Sequence, residues 1–164
     1  RRRDDTRWLG ADMERQLAAG YDPMLLAGLA FAGANPRDGA HGDDGILTAA
    51  EASHLDLDGV DLVVLSACST ALGKAESGEG VIGLVRGFQM AGARRVIASL
   101  WQVDDEATRL LMQHLYDGML REEDPLTPAE ALREAALEVR GSTGEGGRSF
   151  AAPRYWAAFV AYGK

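Results

Sequence analysis

Cys68 is the residue with the clearest chemistry in this sequence. It follows the apolar run Asp61–Ala67 (DLVVLSA), and small residues come after it: Ser69, Thr70, Ala71 and Gly73. A thiol at the carboxyl end of a strand, with small neighbours, can be approached by a substrate backbone and can attack its carbonyl carbon. A buried structural cysteine fits the same surroundings, because free cysteine is among the most buried residue types. Local sequence leaves both readings open. Asp104 and Asp105 form a second constellation, after Ser99-Leu100-Trp101. Two carboxylates before a helical pattern favour the positive end of the helix. In a pocket they would instead read a guanidinium group bidentately. Trp101 neighbours this loop and is its aromatic contact residue.

Three imidazoles are present: His41, His54 and His114. His41 lies in a glycine-rich loop, His54 closes and caps a short helix, and His114 falls on an apolar helix face as a satisfied core histidine. No close ligand spacing joins them, so neither a metal site nor any other cofactor is expected. Gly78, Gly80 and Gly83 spell G-x-G-x-x-G. A dinucleotide fingerprint opens directly after its strand, whereas here Ser69 to Ser77 intervene. A nucleotide-binding α/β domain is therefore the weakest of three functional readings.

The elements that must position these residues alternate in type. Residues 1–22 are polar and mixed in charge, a linker or the tail of an insertion, with room for a short helix at Ala11–Ala19. Met24–Ala32 (MLLAGLAFA) is a short apolar run and reads as a buried strand. Asn35–Gly45 is dense in Gly, Asp and Pro and reads as a loop. Thr48 and Glu51 have capping-box spacing for a helix that runs through His54. Asp61–Ala67 looks like a central parallel strand buried on both faces. Val81, Leu84, Val85 and Phe88 share one helix face, and Gly92 terminates that helix. Arg95–Leu100 is the next strand.

A helix from Asp104 or Asp105 follows, with Ala107, Leu110, Leu111, His114, Leu115 and Met119 as its buried stripe. Thr127, Pro128 and Glu130 start another, which runs to about Arg140. Gly141–Gly147 reads as a flexible loop and Tyr155–Tyr162 as a last, aromatic-rich strand. Trp101, Tyr155, Trp156 and Phe159 could line a substrate cleft, and core packing of the last strand is the plainer role for all of these except Trp101. Strands alternating with helices imply crossovers and a parallel sheet.

Composition narrows the function classes. The chain has 164 residues, 46% hydrophobic and 26% charged, with a net charge of −8. Those values suit one globular domain. An acidic domain is a poor phosphate binder, which argues against nucleic acid as a direct partner. No apolar run approaches the ~20 residues a membrane span needs. Arg1, Arg2 and Arg3 precede no apolar stretch, so they are not a secretory signal. A lone cysteine forms no internal disulfide and fits a reducing, cytoplasmic compartment. Trp101–Arg140 carries ten acids against four arginines, a field that would attract a basic partner segment or simply face water.

Several motifs, in order, resemble a CHAT domain: Leu25–Asn35 (LLAGLAFAGAN), Asp61–Gly73 (DLVVLSACSTALG), Gly78–Gly92 (GEGVIGLVRGFQMAG), Ala93–Asp105 (ARRVIASLWQVDD) and Pro153–Gly163 (PRYWAAFVAYG). CHAT domains are caspase-like cysteine peptidases related to separases, often found in bacteria beside helical-repeat modules. The resemblance implies an α/β fold, a caspase-like three-layer sandwich with a mostly parallel central sheet, occupying 23–164. It puts Cys68 on the nucleophile position and Asp105, with Asp104 adjacent, on the position that holds an arginine before the cut.

The family's histidine sits in a Thr-His-Gly-like motif on a strand before the Leu25 region, and no such motif stands there in this sequence. An N-terminal segment or chain of the same domain is then expected to supply the imidazole and the oxyanion-hole glycine. The implied function is a cysteine endopeptidase acting on protein or peptide substrates through a thioester. A helical-repeat module is an expected regulatory partner. If such an enzyme cuts after arginine, Arg1–Arg3 and Arg148 are sites for self-cleavage. A non-catalytic regulatory or interaction module that kept the fold is the alternative.

Overall fold

The computed structural model describes residues 23–25, 27–31, 34, 45–66 and 79–163. The fold is mixed α/β. Two apolar runs form its parallel pair. β3 (Leu62–Leu65) and β4 (Arg95–Ser99) run side by side, from Leu62↔Arg95 to Leu65↔Ala98. Parallel strands need a long crossover, and this one contains helix α2 (Glu79–Met90). Val81, Leu84, Val85 and Phe88 on α2 are all buried, as their spacing predicts.

The helix then stops at Gly92, whose φ is +110°. Ala93 N–H donates to Phe88 O, and Gly92 N–H to Gln89 O, each at 3.1 Å. That pair of bonds is a Schellman stop, which needs a residue tolerant of positive φ. α1 (Ala49–Ala52) packs against α2 where Gly87 faces the Ala49 carbonyl, leaving no space for a Cβ.

β5 (Phe159–Gly163) closes the three-stranded sheet, in the order β3-β4-β5, and pairs antiparallel with β4. Two expectations change here. The aromatic segment is not one strand from Tyr155: Pro153–Trp156 forms a helical turn, α5, and the strand starts at Phe159. Proline fixes φ near the helical value and suits the first helical position. Nor is β3 central among the described residues. It lies at the end of the strand order with Leu62, Val63 and Val64 half-buried, while Val96, Ile97 and Ala98 of β4 are wholly buried. An apolar run reports burial, not rank within a sheet.

The helices after β4 form the second large packing surface. α3 (Asp105–Met119) and α4 (Pro128–Gly141) pack against each other. Thr127 caps α4 through a capping box with Glu130, and Pro128 opens it. Thr48 and Glu51 do the same for α1, which ends at Ala52 rather than His54. The 141–147 segment is built, not loose. A bridge joins Thr143 to Ser149, and a 3-10 turn spans Glu145–Gly147.

Near the start, Met24–Ala32 gives a 3-10 turn at Pro23–Leu25 and a short strand, β1 (Gly28–Ala30). β1 pairs antiparallel with β2 (Ile46–Thr48), an element with no clear sequence signal.

Alternation along the strands feeds two cores. Ile97 and Phe159, with half-buried Leu62, Val64 and Ala161, join Leu111, Leu115, Ala135, Val139 and Phe150. Leu65, Val96 and Ala98, with Val63 and Tyr162, join Ala49, Leu84, Val85 and Phe88. Helices therefore cover both faces of the sheet, one core on each side.

Two substitutions test this packing. Leu65 is 7% exposed, so Leu65→Ala is expected to cost about 2–5 kcal/mol in urea unfolding; a cost of a few tenths would contradict its place in the core. Gly87→Ala must push α1 off α2 and is expected to cost about 1–3 kcal/mol, although alanine is the better helix former.

Candidate functional site

β3 and β4 run in the same direction, so their carboxyl ends lie at one edge of the sheet. The chain leaving β3 enters the segment that carries Cys68, three residues beyond Leu65 in sequence. Cys68 itself lies outside the described residues, as do His41, Gly78 and residues 1–22. The chain leaving β4 is described in full. It runs through Leu100 and Trp101, 36% and 41% exposed, to the start of α3. Trp101 Nε1–H donates to Arg154 O at 3.4 Å, which ties this loop to α5.

The two neighbouring carboxylates have different roles. Asp104 is the N-cap of α3: its Oδ1 accepts from Ala107 N–H at 3.1 Å, and its carbonyl accepts from Thr108 Oγ1–H at 2.7 Å. Asp105 occupies the first turn, exposed to solvent, and has no hydrogen-bond or ion-pair partner among the described residues. Capping needs one side chain in extended backbone geometry just before the helix, and Asp104 takes that position with φ −75° and ψ 131°.

Asp104 is also paired with a cation from within the chain. Arg148 Nη1 lies 3.0 Å from its Oδ2, and Nη2 lies 3.2 Å from its Oδ1. The same Nη2 donates to Glu106 Oε2 at 3.0 Å. Glu106 Oε1 accepts from Glu145 N–H at 2.8 Å, which fastens the 142–149 turn to the start of α3. Gly144 sits so close to Glu106 and the Phe150 ring that a Cβ would overlap both. Burial alone would weaken the guanidinium's hold on its proton. The Glu106 hydrogen bond and the carboxylate charges of Asp104 and Glu106 outweigh it, so the Arg148 pKa is raised.

This pairing bears on Arg148 as a point of self-cleavage. Its side chain is held by two carboxylates and its carbonyl by Gly144 N–H at 2.8 Å. Presenting it to a pocket would break all of these bonds.

A cleft of about 320 Å³ opens beside this network, lined by Gln102, Val103, Asp104, Arg154 and Tyr155. Tyr155, the most buried of these, is 8% exposed. The Tyr155 ring contacts two guanidinium groups, Arg154 at 4.7 Å and Arg148 at 5.9 Å from the centroid. Arg154 Nη2 also donates to Tyr155 Oη at 2.8 Å. Gln102, Val103, Arg154 and the Arg148 link are the residues that sequence reasoning missed. Arg148 and Arg154 meet Asp104 only across more than 40 residues of sequence, and no local periodicity signals them, while Gln102 and Val103 precede Asp104 directly but gain a cleft to line only when Arg154 and Tyr155 are brought beside them.

The other expected residues fall elsewhere. His54 is exposed, and its Nδ1 lies 2.8 Å from Ala50 O, closing the turn after α1. His114 is half-buried on α3. Phe159 is buried in the core, and half-buried Trp156 donates from Nε1–H to Ala151 O at 3.1 Å. Gly80 and Gly83 lie in the first turns of α2.

Comparison with known proteins identifies the family. The chain belongs to the CHAT domain family, whose model matches residues 18–164. That family is related to cysteine peptidases. Among curated proteins the chain is similar to Tetratricopeptide repeat protein 28 of Homo sapiens, 36% identical over 118 residues, and to the protein of the same name of Mus musculus, 34% identical over 118 residues. Each match covers 72% of this chain and 4% of the relative, so the chain spans a small fraction of the relatives' length. No solved structure gives a significant match. Among the described residues, no helix is long and apolar enough to cross a membrane.

The division of labour between the two aspartates is testable by stability alone. Asp104→Ala removes a cap and the Arg148 partner, and is expected to cost about 1–2 kcal/mol. Asp105→Asn is expected to stay within about 0.5 kcal/mol of the parent. Chemical unfolding of both variants checks this, and equal costs would contradict it.

Proposed function

We propose that this chain carries the nucleophile of a cysteine endopeptidase with a caspase-like three-layer fold spanning 23–164. Cys68 is the nucleophile. Its thiolate attacks the scissile carbonyl carbon, the peptide nitrogen leaves with a proton from an imidazole, and water hydrolyses the resulting thioester. That imidazole comes from an N-terminal segment or chain of the same domain. The observation that carries the reading is the shared direction of β3 and β4. It supports a site at one sheet edge, where ligands of open α/β sheets bind, between the Cys68 segment and the Trp101–Asp105 loop.

Asp105 is the residue that reads a basic side chain before the cut, with Trp101 beside it. Its lack of any partner among the described residues supports this role. Asp104 is occupied as a cap and by Arg148. It supports the loop rather than meeting substrate first. A helical-repeat module is the proposed regulatory partner.

A second reading is a regulatory or interaction module that keeps the fold without catalysis. The name of its curated relatives, a tetratricopeptide repeat protein, favours it at least as well.

Covalent labelling separates the two. A peptidyl electrophile with arginine at its reactive end is expected to add once, at Cys68, in the domain extended by its upstream segment, and scarcely in residues 1–164 alone. Intact mass with Cys68→Ala as control reads the result. Absence of labelling in the extended domain would favour the interaction module. In that extended domain, Asp105→Asn is expected to lower catalytic efficiency on arginine peptides about 10–100-fold, since a hydrogen bond to a charged group is worth roughly 1.5–3 kcal/mol. Unchanged arginine cleavage would place the specificity pocket elsewhere.

A further inference from the structure

We infer that the cleft beside α3 is a binding site for an acidic peptide side chain, with Arg154 as the residue that recognises its carboxylate. The inference needs no catalytic step and does not depend on Cys68. It rests on how charge is distributed around the cleft. Two guanidinium groups contact the Tyr155 ring, Arg148 and Arg154. Arg148 is satisfied twice, by Asp104 and by Glu106. Arg154 has no carboxylate partner among the described residues, although it lines the same cleft as Asp104. The acid in the cleft wall is therefore already paired, and the cation is not.

Arg154 is also preorganised. The Tyr155 ring at 4.7 Å supports its guanidinium, and the hydrogen bond to Tyr155 Oη at 2.8 Å fixes one nitrogen. Tyr155 is buried, so it cannot follow a moving arginine. A guanidinium held this way loses little freedom when a carboxylate arrives, and its remaining N–H groups match the two oxygens of that carboxylate. Gln102, exposed at the rim, adds an amide donor. Leu100 and Trp101 are exposed on the preceding residues. They offer apolar surface that the neighbours of an acidic residue in a peptide would cover, which a free small anion would not.

The test is titration of this chain with acetylated, amidated Ala-Glu-Ala, with Ala-Gln-Ala and Ala-Arg-Ala as controls. The indole N–H of Trp101, bonded to the Arg154 carbonyl, is the local reporter in a nitrogen–proton correlation spectrum. The glutamate peptide is expected to shift that signal saturably. Its affinity should exceed that of the glutamine peptide about tenfold. Arg154→Gln should remove that advantage, and Arg154→Lys should keep part of it. Raising salt from about 0.05 M to about 0.5 M should weaken binding, since the site is solvent-accessible.

Equal affinity for the glutamate and glutamine peptides would overturn the proposal. So would an unchanged glutamate titration in Arg154→Gln, or no titration by any peptide at millimolar concentration. The arginine peptide with Asp105→Asn reads the basic-residue assignment separately, so the two can fail independently.

Discussion

β4 is the constraint on which the rest of the fold depends. It is the strand with partners on both edges in the described sheet, and its middle three residues are wholly buried. A strand in that position must be apolar on both faces, because either side chain direction leads into a core. Ile97 faces the α3–α4 side, and Val96 and Ala98 face the α1–α2 side. Each core is thus anchored on the same short segment. The residue after this buried stretch, Ser99, is still buried, and Leu100 is not. The chain emerges abruptly at the edge of the sheet, which is why a short loop there can carry exposed Trp101 and a helix start.

The same constraint shapes the candidate site. Parallel pairing sends β3 and β4 out at one edge, so the Cys68 segment and the Trp101–Asp105 loop leave from adjacent strands. α3 begins within that loop, and its N-cap, Asp104, does two jobs. It satisfies a backbone amide that would otherwise lack a partner, and it fastens Arg148. The second bond holds the 142–149 turn beside the cleft, with Arg148 over the Tyr155 ring. Charge in a strongly acidic chain is therefore not spread evenly. At the cleft, two carboxylates are absorbed by one arginine while a second arginine stays available.

Membership of the CHAT family and similarity to a tetratricopeptide repeat protein pull the functional reading in two directions. The fold accommodates both. Helices cover the two sheet faces, and the loops at the strand ends lie outside both cores, so side chains can change there while the cores stay intact.

Local signals in the sequence were sufficient for most of the elements. The capping boxes at Thr48 and Thr127, the Gly92 stop and the buried face of α2 all follow from interactions within a few residues, so the pattern and the outcome coincide. Burial of Ile97 and Leu65 was likewise legible, because continuous apolar runs have nowhere else to go. The parallel pairing of β3 with β4 was legible too, but the rank of β3 among the described strands and the direction of β5 were not. β3 at the end of the order and antiparallel β5 depend on which edges meet across the chain.

The site divides the same way. Two aspartates before a helix announce a cap, but which one caps depends on where the backbone changes from extended to helical, and here that is at Asp104. The Arg148–Asp104 pair and the Arg154–Tyr155 cleft join residues over 40 positions apart. Only tertiary structure decided those, because an ion pair at that separation leaves no periodic trace in the sequence.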